Sequence, residues 1–94
     1  MGEPAALELL AEECTELGHA ALKLARKKRA ENPTPDSTFK IINELHEEVA
    51  DVSLCLSVLT SADWYKSKMI DSIYDLKLAR WKNRMVEHGH QRTD

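Results

Sequence analysis

Two stretches of this chain repeat one conflict between helical burial and charge, and few folds accommodate it. Ile42, Leu45, Val49, Val52, Leu56 and Leu59 step by 3 and 4, so they line one face of a helix. Leu7, Leu10, Cys14, Leu17, Ala21 and Leu24 do the same earlier in the chain. Acids border each stripe. At about 100° per residue, Glu48 lies about 60° and Asp51 about 120° from Leu45, and Glu13 and Glu16 stand in the same relation to Leu10. The patterns are 35 residues apart, with Glu12 matching Glu47, Glu13 matching Glu48 and Glu16 matching Asp51.

Midway between the two acid pairs is Asn32, followed by Pro33, Thr34 and Pro35, a run that stops one helix and turns the chain. If the helices fold back antiparallel about position 32, residues equidistant from it lie level, and Glu13, Glu16, Glu48 and Asp51 converge. Such anions repel by about 1 kcal/mol for a pair at ~4 Å in water, and by several times that in a partly desolvated site. A divalent cation reverses that sign. Carboxylate oxygens suit a hard ion, Mg²⁺ or Mn²⁺, better than zinc.

The fold expected is all-α: an antiparallel helical hairpin plus a third helix, completed as a helical bundle by oligomerisation. Three glycines, one phenylalanine and no β-branched alternation leave the helical period as the dominant signal. Ninety-four residues make one small domain with a marginal core. The helices are expected over about 5–30, 38–61 and 64–88, with Pro4 opening the first, Asp36 or Ser37 capping the second and Asp63 the third. Gly89 is expected to end the last helix, leaving 89–94 as a disordered tail. Leu54, Cys55 and Val58 lie off the main stripe, which makes the second helix too apolar for one wet face and calls for a second subunit, in a homodimer or homotetramer.

A net charge of −3 gives no general attraction to nucleic acid. Cys14 and Cys55 form no Cys-x-x-Cys pair and read as reduced core thiols. No segment approaches the ~20 apolar residues of a membrane span or resembles a signal peptide, so the expected location is cytoplasmic.

On the third helix Lys77, Arg80 and Arg84 continue the line of Ile70 and Ile73, replacing an apolar stripe with cations. Tyr74, Leu78, Trp81 and Met85 form the adjacent stripe and are expected in the core. The basic run Arg26, Lys27, Lys28 and Arg29 suits a helix C-terminus, whereas Lys23 falls on the acidic side. Magnesium shares its shell with substrate phosphates, so the acid cluster suits metal while Lys77, Arg80, Arg84 and Lys23 suit a polyphosphate. Glu12 or Glu47 is the candidate catalytic base, taking the proton of a water that attacks phosphorus.

The run EECTELGHAALKLAR followed by ELHEEVADVSLCL resembles the MazG-like nucleoside triphosphate pyrophosphohydrolases, an all-α superfamily. Its Glu-x-x-Glu, spacer, Glu-x-x-Asp signature is matched by Glu13, Glu16, Glu48 and Asp51, and a Lys-x-x-Arg-x-x-x-Arg pattern by Lys77, Arg80 and Arg84. The resemblance spans about residues 7–85. It implies hydrolysis between the α and β phosphates to a monophosphate and pyrophosphate, with magnesium on the four acids and a homo-oligomeric bundle. Many relatives carry a helix ahead of the first acidic cluster that helps form the base pocket. Here little chain precedes Leu7, which leaves the choice of nucleotide open.

Two other readings compete. In one, the six acids are solvated charges on a non-catalytic interaction module. In the other, Glu16-x-x-His19 and Glu87-x-x-His90 belong to a di-iron bundle, although His19 lies about 180° from Leu10 and His90 follows Gly89. His46 and His88 read as surface residues.

Overall fold

The computed structural model describes residues 2–31 and 35–91, with side chains described through residue 86. Its described residues form three helices and no strand: α1 Glu3–Lys28, α2 Thr38–Leu59 and α3 Ser67–Gln91. They fall into two compact units, Met1–Ala62, which holds the α1 and α2 hairpin, and Asp63–Asp94.

Helix α1 starts from an extended Gly2, with Pro4 in the first turn, where its missing N–H costs nothing. It stops before the prolines, by its own backbone. Ala30 adopts a left-handed φ of 58°, so that Glu31 N–H donates to Arg26 O at 3.0 Å and Ala30 N–H to Lys27 O at 3.2 Å. This is a Schellman closure with alanine at the position glycine usually takes. The expected turn at 32–34 lies outside the described residues. Of the two candidate caps for α2, Ser37 serves: its Oγ accepts from Lys40 N–H at 3.2 Å. Asp36 binds the Lys23 and Lys40 ammonium groups instead.

The antiparallel register is centred on position 32, as the acid pairs imply. Ala6 and Leu9 share an apolar groove with Val58 and Cys55, Glu13 meets Asp51, and Glu16 borders one depression with Glu48. The rotation of the helices differs from the leucine stripes. Ile41 is wholly buried, Cys55 is 5% exposed, and Glu48, midway between them at seven-residue spacing, is half-buried. On α1 the facing line is Ala6, Glu13 and Ala20, also seven apart. A heptad drifts only ~20° on a straight helix, so each line is one seam.

Leu7, Cys14, Ala21, Val49 and Leu56 are consequently exposed rather than buried. At the open end, small Ala6 takes the seam in place of Leu7 and allows close backbone approach; size does not separate Ala20 from Ala21 or Ile41 from Ile42. Of the two thiols expected in the core, Cys55 is buried and Cys14 is exposed.

In the second unit, α3 starts at Ser67 rather than 64, and Ile70 N–H donates to Lys66 O. Asp63 therefore does not cap it. Trp64 and Tyr65 lie ahead of the helix, with ring centroids 5.9 Å apart and planes tilted by 55°, an edge-biased geometry favoured by ring quadrupoles. The helix continues through Gly89 to Gln91. One glycine costs a helix only about 1 kcal/mol relative to alanine, and no proline follows to stop it. Residues 92–94 lie outside the description. Tyr74, Trp81 and Met85, expected in the core, are exposed, and Leu78 is half-buried. No described helix is long and apolar enough to cross a membrane.

Candidate functional site

The seam places two carboxylates, Glu13 and Glu48, where a heptad would place apolar side chains, and Asp51 follows one turn after Glu48. Each of the three offers an oxygen, and these oxygens all lie within 4.8 Å of one another. Glu13 and Glu48 are half-buried and Asp51 is exposed, so the cluster opens from seam to solvent.

Its electrostatics are those of anions held together by packing around them. The Glu13 carboxyl is raised above the ordinary carboxylate range, first by desolvation, then by the charges of Asp51 and Glu48, by hydrogen bonding with Glu48, and by the charge of Glu16. Glu48 Oε2 is buried and receives no hydrogen bond. Two ionised carboxylates offer no donor to each other. A proton on Glu13 would supply one, which is part of why Glu13 holds its proton more tightly. The Cys55 thiol, one turn beyond Asp51, is also raised, mainly by burial and then by the charges of Glu13, Asp51 and Cys14.

The donor set fits a hard divalent cation. All three ligands are carboxylate oxygens, and one buried acceptor has no donor.

Within the hairpin the other expected residues lie along the same two helices. Glu16 and Glu47, both exposed, border a depression with His19, Ala20, Lys23, Glu44 and Glu48. Glu48 thus belongs to both the cluster and the depression. Glu12 is exposed on α1. Lys23, expected to hold phosphate, is engaged by protein: its Nζ is 2.7 Å from Asp36 Oδ2 and 3.5 Å from Glu44 Oε2. Its ammonium is raised, chiefly by the Asp36 hydrogen bond. Asp36 is lowered, chiefly by its hydrogen bonds from Lys23 and then Lys40.

This clasp of Asp36, Lys40 and Glu44 around Lys23 is absent from the sequence reading, although the signal was present. Lys23 is level with Ile41 in the register about position 32, which brings Lys40 and Glu44 within one turn of it. In the second unit, Lys77, Arg80 and Arg84 border one face of α3 with Tyr74, Leu78 and Trp81. For the di-iron pattern, His19 is exposed beside Glu16, and the side chains of Glu87 and His90 lie outside the description.

No family model, no curated protein and no solved structure matches the chain.

Proposed function

We propose that the protein is a metal-dependent nucleoside triphosphate pyrophosphohydrolase, cleaving between the α and β phosphates, and that it works as a homo-oligomer. The observation that carries this reading is the convergence of Glu13, Glu48 and Asp51, with a buried Glu48 oxygen that lacks a donor. Half-buried carboxylates on a helix seam cost stability, and a bound cation would offset that cost.

Glu13, Glu48 and Asp51 would hold Mg²⁺ or Mn²⁺, with Glu16 one helical turn from Glu13 and close enough to raise it. The bound ion supplies neutralisation of the phosphate charge that builds up during hydrolysis. Glu47, at the edge of the same depression as Glu48, is the proton acceptor for the attacking water, with Glu12 as the other candidate. Lys77, Arg80 and Arg84 orient the polyphosphate through charge-assisted hydrogen bonds. Lys23 contributes only by exchanging Asp36 or Glu44 for a phosphate oxygen.

The test is a panel of canonical and modified nucleoside triphosphates incubated with Mg²⁺, with pyrophosphate and orthophosphate measured separately. Release of pyrophosphate and monophosphate is the expected result, and orthophosphate alone places the protein in a different class. The competing reading, a non-catalytic helical interaction module, draws on the exposed apolar side chains of α2 and α3. It prevails if millimolar Mg²⁺ and Mn²⁺ neither shift the melting temperature nor give a calorimetric binding signal.

A further inference from the structure

Helix α3 carries a face that the proposed chemistry uses only in part. Its cations have a role there, whereas the rings beside them have none. Tyr74 is 63% and Trp81 56% exposed. Standing seven residues apart, they lie on one line of the helix. At about 100° per residue, Tyr74, Arg80, Trp81 and Arg84 all fall within about 60° of Lys77, while Asp71 and Asp75 lie about 120° and 160° away from it. Residues 76–86 hold Lys77, Arg80, Lys82 and Arg84 and no carboxylate, in a chain whose net charge is −3. Among the described residues, none of Lys77, Arg80 and Arg84 has a carboxylate partner.

This interleaving restricts what can cover the face. A purely apolar partner would take cations out of water with nothing to pair them. A bare polyanion would leave both rings in water. The occupant that suits both kinds of side chain is a flat ring joined to phosphates. Tyr74, Lys77, Leu78, Arg80, Trp81 and Arg84 line one open hollow of about 400 Å³, within the ~300–1,000 Å³ of small-molecule sites.

We infer that the nucleobase of the substrate stacks on Trp81, beside Tyr74 and Leu78, while the three cations hold its phosphates, so that the base is gripped by its face and not read at its edge. The inference rests on the assignment of Lys77, Arg80 and Arg84 to the polyphosphate. With those donors taken up by phosphate, the hollow keeps one phenol hydroxyl and has no carboxylate or carboxamide, the groups that pair with adenine or cytosine edges. Stacking accepts any base, since every base has a π face, and its strength sets the preference. The substrate class is therefore purine nucleoside triphosphates ahead of pyrimidine ones. Adenine and guanine, alike in ring area and different in edge pattern, are taken alike.

Equilibrium binding of α,β-methylene nucleoside triphosphates with Mg²⁺, which lack a cleavable α–β anhydride, tests this on the full chain. In a Trp64→Phe background Trp81 is the one tryptophan left, and quenching of its fluorescence reports stacking. The adenine and guanine analogues are expected to quench it and to bind within about threefold of each other, with the cytosine and uracil analogues weaker. Inorganic tripolyphosphate is expected to bind more weakly still and without quenching. Trp81→Ala should weaken the adenine analogue about 5- to 140-fold, the 1–3 kcal/mol of one aromatic–base stack, and leave tripolyphosphate unchanged, with Trp81→Phe recovering part of the loss. Should Trp81→Ala not fold, the comparison of nucleotide with tripolyphosphate on the wild-type chain decides. Tripolyphosphate bound as tightly as the nucleotides overturns the inference. So does a preference between adenine and guanine above about tenfold, which marks a base read at its edge. A single-stranded oligonucleotide that binds far more tightly than any mononucleotide also overturns it, because the face then belongs to a polymer. None of these results touches the pyrophosphohydrolase reading, which is judged by metal binding at the acid cluster and by the products released. Purine stacking without pyrophosphate release overturns that reading alone.

Discussion

Glu48→Gln should reverse its effect on stability according to whether a divalent ion is present. In ion-free buffer the wild-type site holds Glu48 within 4.8 Å of Glu13 and Asp51. For the Glu48 and Asp51 pair alone, Coulomb's law gives about 0.9 kcal/mol of repulsion at the permittivity of water and about 3.5 kcal/mol at an effective value of 20. Because Asp51 is exposed, the lower figure is the appropriate one, and Glu13 adds repulsion of the same sign. The glutamine amide also gives its neighbours an N–H donor that a carboxylate lacks. The variant should therefore be more stable than wild type by about 1 kcal/mol, which raises the melting temperature of a domain this size by ~4–8 °C. With ion at a hundred times its dissociation constant, wild type gains about 2.7 kcal/mol that the variant largely forgoes. The order of the two melting curves should then cross. The assay is thermal unfolding by circular dichroism at fixed protein concentration, in EDTA and in Mg²⁺ or Mn²⁺. A Glu48→Gln protein less stable than wild type in EDTA, with an undiminished response to ion, refutes the like-charge account of this site.

Further outcomes follow from other parts of the hairpin. Ala30→Gly should stabilise the chain by about 1 kcal/mol, because glycine accepts the left-handed φ of 58° without Cβ strain; chemical denaturation measures it. Ser37→Ala should destabilise it by about 1 kcal/mol through loss of the cap on Lys40 N–H, read in the same experiment. Asp36→Asn should lower stability at neutral pH and lose that effect in acid. A lowered carboxyl stabilises the fold above its unfolded pKa, and that contribution disappears as pH falls through the folded value. Glu13 acts oppositely: its raised carboxyl favours the ion-free fold at low pH, and the gain is lost as pH rises through the folded value. Stability profiles of wild type, Asp36→Asn and Glu13→Gln against pH separate the two.

The register of the hairpin was legible because matched acid clusters carry positional information that survives translation into space. The pairing of Glu13 with Asp51 is fixed by their equal distance from position 32. The rotation about each helix axis was not legible, since stepping by 3 and 4 defines a broad arc, and within it the seam runs through Ala6 and Glu13 rather than Leu7 and Cys14. The two helix ends behaved differently for a similar reason. Ser37 announces its cap by residue type, whereas Ala30 closes α1 through a backbone conformation that alanine rarely adopts, and Gly89 is carried inside α3. The clasp at Lys23 was hidden because its partners lie on the far side of the turn and their proximity emerges only from the register. That Glu13 and Glu48 lie on the seam itself, rather than beside it, is what coordinates add to the pattern.

The clasp also gives the alignment of the two helices a tie besides the chain that connects them. Lys23 grips Asp36 and Glu44 from α1, and Lys40 grips Asp36 from α2, so the closed end is tied down before α2 completes its first two turns. Insertions in the connection should be tolerated, in the way of a splice made outboard of a knot. The same number of residues added between Lys23 and Glu13 would instead carry the acid cluster out of alignment, and with it any ion the cluster holds.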